Sequence, residues 1–474
     1  MKDSELRPRA GDLAEPSSRR GRRITQTRIG GRRPGSTRSL RWLVIAAVAA
    51  VILSACGSSG SSSSASGGSS GGSSSSGGSS SSSGTINLGV ISDQTGPTSS
   101  TQLPFLHGIE TYINKTNAQG GVNGQKIHLD LCDEKYDVTA GLACYQTLVK
   151  QDKVSALVGS LNDSDVQAAL IPKITQDKIP VIGAESTNQE ALIPFNKYFF
   201  AMECPYPDQA DVAVQYEKEL TGVAAPKVAS MTLSVSSGIE WSQLIKERVT
   251  KAGGSLVGAF PIPPTATNAD VVVQKMAALH PTWITVHGGP NISEILLKSM
   301  QKFGLQVPVV GIFATGGHLP FQSVSPTYAK LFHYVNCYTP ADVTGPGTTQ
   351  MVADAQKYGG YGAEAQTNDP FTNGYVVGMA TVAGLKNIPS GTKVDSASIV
   401  TGMEKVNNLD TMDLSPNVTF GPNLRVGVIG LRPYGWDATT KKIVAVGTYD
   451  HYKSAITGEW LPPQSKYALS SSAG

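Results

Sequence analysis

Histidines and cysteines are the side chains of this 474-residue chain best suited to metal binding or nucleophilic chemistry, but their spacing forms no catalytic pattern. The seven histidines include no i, i+4 pair and no cluster with other metal ligands; they are His107, His128, His280, His287, His318, His333 and His451. Outside the Ser/Gly tract of residues 57–84 there is no G-x-S-x-G elbow, and the chain has no P-loop lysine and no C-x-x-C pair. The GGVNG run of residues 120–124 follows a predicted helix instead of joining a strand to a helix, which argues against a phosphate loop. We therefore predict a protein that is not an enzyme and that has no metal site and no cofactor.

The elements that would position binding residues alternate between strands and helices along residues 85–313. Short apolar runs predict strands at 85–91, 125–132, 154–160, 179–185, 227–233, 255–262, 282–288 and 307–313. Amphipathic segments predict helices at 105–119, 140–151, 165–178, 241–254, 269–280 and 293–304. Such alternation builds parallel sheets with helices on both faces, and a break at residues 199–207 divides it into two runs. The predicted fold class is α/β, with two doubly wound parallel-sheet lobes.

Residues 1–55 have the pattern of an export signal. Residues 1–41 carry 12 basic and four acidic side chains, a net charge of +8, and residues 42–53 form an apolar run that is short compared with the roughly 20 residues of a transmembrane helix. The SRRGRR run at residues 18–23 could be a twin-arginine signal, but 18 residues separate it from the apolar run; the alternative is a long basic leader. After Cys56 the chain has 27 basic and 32 acidic residues, and this net charge of −5 gives no support for nucleic-acid binding.

The stretch Leu53–Cys56 resembles the lipobox of bacterial lipoproteins, in which the cysteine sulfur is acylated and the cysteine becomes the first residue of the mature protein. The resemblance implies an extracytoplasmic protein that a lipidated Cys56 anchors to the outer face of the bacterial cell membrane. The alternative is an ordinary signal peptide with an accidental cysteine. Residues 57–84 are all Ser or Gly except Ala65, so we expect a disordered linker with a root-mean-square reach of roughly 30 Å.

The segments GVISDQTGPTSST (89–101) and HGIETYINKTNAQGGVNGQKI (107–127) resemble the opening of type I periplasmic binding proteins of the branched-chain amino acid, Leu/Ile/Val-binding protein-like, family. Residues 152–160 and 177–188 are similar to the next strands and ligand loops, and residues 368–385 to a late helix, so the resemblance covers residues 85–450. It implies a Venus-flytrap fold in which a three-crossing hinge joins the lobes, near residues 204–207, 338–340 and 419–430. The expected domains are the signal peptide (1–55), the lipidated Cys with its linker (56–84), lobe 1 (85–204 plus 340–420) and lobe 2 (205–339 plus 421–465).

The family's ligand positions in the first lobe can be carried over residue by residue. The loop GSLNDSD (159–165) corresponds to a segment that holds a ligand carboxylate, which assigns Asp163 and Ser164, although Asp163 could instead cap the helix that follows. The loop AESTN (184–188) assigns Ser186 and Thr187 as donors. Thr101 stands where family members often have a tyrosine, and Phe371 or Tyr375 could supply an apolar wall or belong to the core.

The second lobe departs further from the family pattern. Family members that bind amino acids pair the ligand ammonium with an acidic residue after the strand equivalent to 282–288, but this loop continues with Asn291 and Ile292 and has no carboxylate until Glu294. The second ammonium contact, an aromatic side chain in the family, falls on Gly238 or Ile239. A missing charge partner disfavours a zwitterion, and a carboxylate at Asp163 would repel a ligand carboxylate. We therefore predict a polyol, an amide, a carboxylic acid or a cation instead of a plain branched-chain amino acid.

Four cysteines follow Cys56, and the even number outside the cytoplasm favours disulfides. Cys132 ends a predicted strand and Cys144 lies in the next helix, which predicts a local bridge. Cys204 and Cys337 lie on two lobe crossings that run side by side in the resembling fold, which implies a second bridge at the hinge. The alternative is four buried free thiols.

The resemblance implies the substrate-binding lipoprotein of an ABC importer, which would capture a small-molecule solute and present it to ABC permease and ATPase subunits. The alternative is a ligand-sensing receptor subunit on the same scaffold that signals to a membrane partner. We expect a monomer that contacts the membrane through its lipid anchor and binds no nucleic acid.

Overall fold

The computed structural model describes residues 84–428 and 430–449, which form two β-sheets covered by helices. Within these ranges no helix is both long enough and apolar enough to cross a membrane. The predicted export signal, the predicted lipidation site at Cys56 and residues 57–83 of the Ser/Gly linker lie outside the described residues.

The first sheet is entirely parallel and has the strand order β2-β1-β3-β4-β5. Its strands are β1 (Thr85–Ser92), β2 (Lys126–Asp133), β3 (Leu157–Val158), β4 (Val181–Ala184) and β5 (Phe199–Ala201). The intervening helices are α1 (Ser99–Ala118), α2 (Val138–Tyr145), α3 (Ser164–Asp177) and α4 (Gln189–Leu192), with a π-helical turn (Gln146–Gln151) after α2. Consecutive residues of β1 such as Val90 and Ile91 are buried on opposite faces, because helices cover both sides of the sheet.

The second sheet has the order β12-β11-β10-β9-β8-β6-β7 and is mixed. Its strands are β6 (Lys227–Leu233), β7 (Ser255–Ile262), β8 (Trp283–His287), β9 (Val309–Gly311), β10 (Phe332–Asn336), β11 (Arg432–Asp437) and β12 (Lys442–Ala445). Its helices are α5 (Tyr206–Thr221), α6 (Ser236–Lys251), α7 (Asp270–Ala278), α8 (Pro290–Phe303), α9 (His318–Gln322) and α10 (Pro326–Ala329). Strands β6 to β10 are parallel, but β11 pairs antiparallel with both neighbours. The predicted parallel sheet is confirmed for β6 to β10, and an antiparallel hairpin that was not predicted extends it at one edge.

The chain returns to the first lobe for four more helices: α11 (Pro346–Tyr358), α12 (Gly362–Thr367), α13 (Asp369–Lys386) and α14 (Ser396–Met403). Helix α13 packs closely along α1. Glycine is required at position 374, because a Cβ atom there would lie only 1.8 Å from the carbonyl oxygen of Phe105. Asp395 begins α14 with a capping box, in which its side chain accepts a hydrogen bond from the Ser398 amide.

Three crossings connect the two sheets: after Ala201, after Asn336 and after Val428. Val426 pairs in parallel with Ala201, so residues before the third crossing lie along the first sheet and the predicted lobe boundary at residue 420 is too early. A Cys204–Cys337 disulfide with a Cα–Cα distance of 6.1 Å joins the first two crossings. The second disulfide, Cys132–Cys144, joins β2 to α2 with a Cα–Cα distance of 5.6 Å. Both predicted pairs are confirmed.

Candidate ligand-binding cleft

A cavity of about 50 Å³ lies between the two sheets, where the carboxyl ends of the parallel strands of both lobes face each other. Loops at these strand ends commonly form ligand sites in α/β proteins, because they carry the residues that do not pair within the sheet. Seven of these loops and the start of α5 contribute the lining: Thr98, Thr101, Gln102, Tyr136, Asn162, Glu185, Tyr206, Leu233, Ser237, His287, Gly288, Gly289, Ile312, Phe313 and Ala314.

The lobes touch across this cleft, so the structure is a closed form. The Ser236 amide donates to Asp165 Oδ1 at 3.1 Å, and the Ser237 amide donates to Ser164 Oγ at 3.2 Å. Helix α6 has no side-chain cap of its own at Val235. Asp165 and Ser164 of the first lobe therefore supply the cap that the N-terminus of α6 needs, and they can do so only when the lobes are together.

Glu185 supplies the acidic group of the cavity from the first lobe, directly after β4. Its backbone amide donates to Asn162 Oδ1, and the Asn162 amide group donates to Gln102 Oε1, so the loop around the carboxyl is held by Asn162 of the loop after β3, which Gln102 of α1 positions. The side chain is buried, and Oε1 has no hydrogen-bond partner among the described residues. Burial raises the pKa of Glu185 to about 8.

His287 supplies the second polar group, from the end of β8 in the opposite lobe. The ring is buried, and neither nitrogen has a hydrogen-bond partner in any other described residue. Burial lowers the pKa of His287 to about 4, so the ring is neutral at physiological pH. A neutral imidazole offers one donor and one acceptor, so both nitrogens are available to a solute in the cavity.

Three aromatic side chains complete the walls: Tyr136, Tyr206 and Phe313. The Tyr206 ring lies 6.4 Å from Phe313 and 5.6 Å from His287, measured between centroids. Tyr136 is reached through two consecutive left-handed residues, with φ of 54° at Lys135 and 58° at Tyr136 itself. Two such residues in sequence are sterically unfavourable without glycine, and backbone strain of this kind concentrates at functional sites.

A close approach between the lobes requires glycine at the second-lobe loop. A Cβ atom on Gly289 would lie 2.6 Å from Thr101 Oγ1 and 2.9 Å from Asn291 Oδ1. Thr101 Oγ1 is buried without a hydrogen-bond partner among the described residues. Among the ligand contacts predicted from the sequence, Thr101 is the single residue that lines this cavity.

The other predicted contacts of the first lobe do not line the cavity in this closed form. Asp163 caps α3 by accepting from the Asp165 amide, and burial raises its pKa to about 6. The Ser186 hydroxyl donates to Asn188 Oδ1, and the Thr187 hydroxyl donates to the carbonyl oxygen of Cys204. Ser164 bonds across the lobes, as described above, and the Phe371 ring is fully buried in the core.

The predicted contacts of the second lobe lie beside the cavity. Gly238 belongs to the first turn of α6, one residue beyond the lining residue Ser237. Ile239 is 56% exposed and does not line this cavity, but it lines a second, larger cavity of about 480 Å³ together with Asn188 and Ile193 of the first lobe. Asn291 Nδ2 lies 3.5 Å from the carbonyl oxygen of Pro97 and contacts the opposite lobe instead of the cavity.

Sequence reasoning missed five of the residues that define the cavity: Glu185, His287, Tyr136, Tyr206 and Phe313. Glu185 lies inside the quoted AESTN loop, and a charged residue directly after a buried apolar strand was the available signal. Glu185, and not Asp163, is the carboxyl that lines the cavity, so repulsion of a ligand carboxylate would arise there once Glu185 is ionised. Tyr136 had no local signal, because its position depends on the unusual backbone of residues 135–136.

Comparisons with known proteins agree with this architecture. A family model described as "Periplasmic binding protein" matches residues 85–430. The Leu/Ile/Val-binding protein homolog 3 of Brucella melitensis is 21% identical over 226 residues, which is 48% of this chain. The match spans 60% of the length of that relative.

Solved structures resemble the whole two-lobed part. A branched chain amino acid ABC transporter protein from Thermus thermophilus with bound valine superposes with a TM-score of 0.70, at 18% identity, over 77% of this chain and 96% of its own. A fatty acid ABC transporter substrate-binding protein from Thermomonospora curvata gives a TM-score of 0.69, also at 18% identity, over 80% of this chain and 95% of its own. At such identities the likeness establishes the fold.

Proposed function

The chain belongs to the periplasmic binding protein family, and we propose that it captures a small polar solute between its two lobes for an ABC importer. The family is one of extracytoplasmic substrate-binding proteins, which are not enzymes. The observation that carries the proposal is the cavity between the lobes, into which each lobe directs buried polar atoms that have no partner among the described residues: Glu185 Oε1 and the His287 ring nitrogens. Burying such atoms costs free energy unless a solute bonds to them.

Closure explains how one solute molecule could change the state of the whole protein. A solute that contacts both lobes favours the closed form by its difference in affinity between the closed and open forms. The cross-lobe bonds of Asp165 and Ser164 form in the same movement. In the proposed cycle, the permease recognises the closed lobes and the ATPase subunits drive release. An anchor at Cys56 and the Ser/Gly tract of residues 57–84 would keep the lobes near that permease.

The cleft supports a solute other than a plain branched-chain amino acid. Gapless spacing from the strand places Ile292 where family members that bind amino acids have the acidic residue; Ile292 is buried in the second lobe, and no residue of the cavity loop 288–291 carries a charge. Glu185 adds a carboxyl where a ligand carboxylate would be repelled if Glu185 were ionised. The cavity of about 50 Å³ is small compared with the several hundred Å³ of a typical ligand pocket. We therefore expect a compact solute and no long acyl chain in this closed form.

The test is calorimetric titration of the full-length protein with small amines, amides, polyols, carboxylates and amino acids, together with mass spectrometry of any solute that co-purifies. We expect saturable one-to-one binding that His287→Ala weakens, because the ring contributes both of its nitrogens. Val271→Ser is the matched control, since Val271 is exposed on α7 and lines neither cavity, and it should bind as the unmodified protein does. If His287→Ala binds the solute as tightly as the unmodified protein does, the assignment of the cleft is contradicted. Tight leucine binding would contradict the expectation that the solute is not a plain branched-chain amino acid.

A further inference from the structure

We propose that the solute is a small organic cation, whose positively charged nitrogen pairs with the Glu185 carboxylate beside the rings of Tyr136, Tyr206 and Phe313. This inference rests on the proposed binding function and names the chemical class of the ligand. It follows from the charge of the cavity wall, from the surroundings of Glu185 and from the aromatic lining.

The cavity wall contains one acidic side chain and no cationic side chain. Of its 15 residues, Glu185 is the one carboxyl group, and none is lysine or arginine. His287 is neutral, because burial lowers its pKa to about 4. A bound anion would therefore face no cation in the wall, whereas a bound cation would face an acid that has no other partner for Oε1 among the described residues.

The groups packed around Glu185 add negative charge or none. Glu203, at the start of the hinge, is fully buried near Glu185, and its carboxyl oxygens accept from the Cys204 amide and from Asn373 Nδ2. Burial raises the pKa of Glu203 well above its usual range, and that of Tyr206 and Tyr338 likewise, so these groups stay neutral and offer no positive charge. A cationic solute would be the first positive charge at this position.

The aromatic walls suit the same class of ligand. Rings present electron-rich faces to a cation, and ammonium groups are bound in this way when they are removed from water. Tyr206 and Phe313 lie at a centroid distance of 6.4 Å with an interplanar angle of 31°, so they form one side of a cage to which Glu185 adds the charge.

Ionisation of Glu185 gives the proposal a pH signature. Since burial raises the pKa of the carboxyl to about 8, a cation must displace the Glu185 proton on binding to this closed form at neutral pH. Affinity should then rise with pH from 6 to 8, by up to about tenfold per pH unit, with release of about one proton for each cation bound.

The experiment titrates the full-length protein with three probes of matched size, propylammonium, propionamide and propionate, in buffers of different ionisation enthalpy between pH 6 and 9. We expect propylammonium to bind best, and Glu185→Gln, which keeps the shape and removes the charge, to weaken it at least about tenfold and abolish its pH dependence. The control variant Val271→Ser should keep both the affinity for propylammonium and its pH dependence. Unchanged thermal unfolding of Glu185→Gln would show that it remains folded.

Preferential binding of propionamide or propionate, or a Glu185→Gln variant that binds propylammonium as the unmodified protein does, would overturn the cation proposal and leave the binding function intact. Preferential binding of propionate with proton uptake only at about pH 8 and above would identify a carboxylate held by a protonated Glu185. No binding of any probe at millimolar concentration, with no co-purified solute, would overturn both the cation proposal and the binding function.

Discussion

Glu134 is predicted to make the folded protein less stable as the pH rises, and Glu134→Gln should remove that dependence. The residue follows β2, its side chain is 0% exposed, and neither carboxyl oxygen has a hydrogen-bond partner among the described residues. Burial, with further contributions from Asp163, Asp93 and Asp133, raises the pKa of Glu134 from 4.5 to about 9. The carboxyl is thus protonated in the folded protein at neutral pH and ionised in the unfolded chain.

The sign and magnitude of this change in unfolding free energy with pH follow from proton linkage. Since the folded state holds the extra proton, this contribution to stability is fully present below pH 4.5 and is lost as the pH rises toward 9. Each pH unit in that window costs about 1.4 kcal/mol, so Glu134 alone should lower the free energy of unfolding by about 4 kcal/mol between pH 5 and pH 8.

The assay is urea unfolding followed by circular dichroism at pH 5 and pH 8. The informative quantity is the change in unfolding free energy between the two pH values. Any effect of Glu134→Gln on packing is the same at both pH values and cancels in this difference. We expect that change to be smaller in Glu134→Gln than in the unmodified protein by roughly 2 to 4 kcal/mol. Glu294→Gln, at a partly exposed helix position that pairs with Lys298, should behave as the unmodified protein does. Equal pH dependence in Glu134→Gln and the unmodified protein would refute the reasoning, since Glu134 would then be ionised and paired when folded.

Three further predictions concern closure and anchoring. Asp165→Ala removes the cross-lobe cap of α6 and should weaken solute binding about three- to tenfold in calorimetry. By contrast, Asp137→Ala removes a cap within one lobe and should lower unfolding stability by about 1 kcal/mol with unchanged affinity. Gly289→Ala places a Cβ 2.6 Å from Thr101 Oγ1 and should keep the lobes apart, seen as a larger radius of gyration with solute in small-angle scattering; an unchanged radius would contradict the close approach. Cys56→Ser should move the protein from the membrane to the soluble fraction, and retention in the membrane would refute the proposed lipid anchor.

Local patterns predicted much of the scaffold. Strands such as β1 and β8 are runs of apolar residues that helices bury on both faces, so their composition alone identifies them. The Cys132–Cys144 bridge could also be predicted from the sequence, because its cysteines lie 12 residues apart on consecutive elements. The hairpin of β11 and β12 was not, since antiparallel pairing at a sheet edge depends on where the chain re-enters the second lobe after its third crossing.

The cavity depends on contacts that no local pattern contains. The family resemblance identified loops that lie at the cleft, but several of the side chains it assigned do not line the cavity. The Thr187 hydroxyl, for example, donates to the carbonyl oxygen of Cys204. The left-handed backbone at residues 135–136 brings Tyr136 to the cavity, and the loop after β4 brings Glu185 there.

The amino-acid sequence by itself determined that two α/β lobes form, because the periodicity of apolar residues decides which segments become buried strands and helices. Only the tertiary structure decided which polar groups meet. Glu185 and His287 are about 100 positions apart in the chain, and the chemistry of each depends on its burial in the closed cleft. Desolvation shifts the pKa of each group toward its neutral form, and desolvation is a property of the packed lobes instead of the residue type.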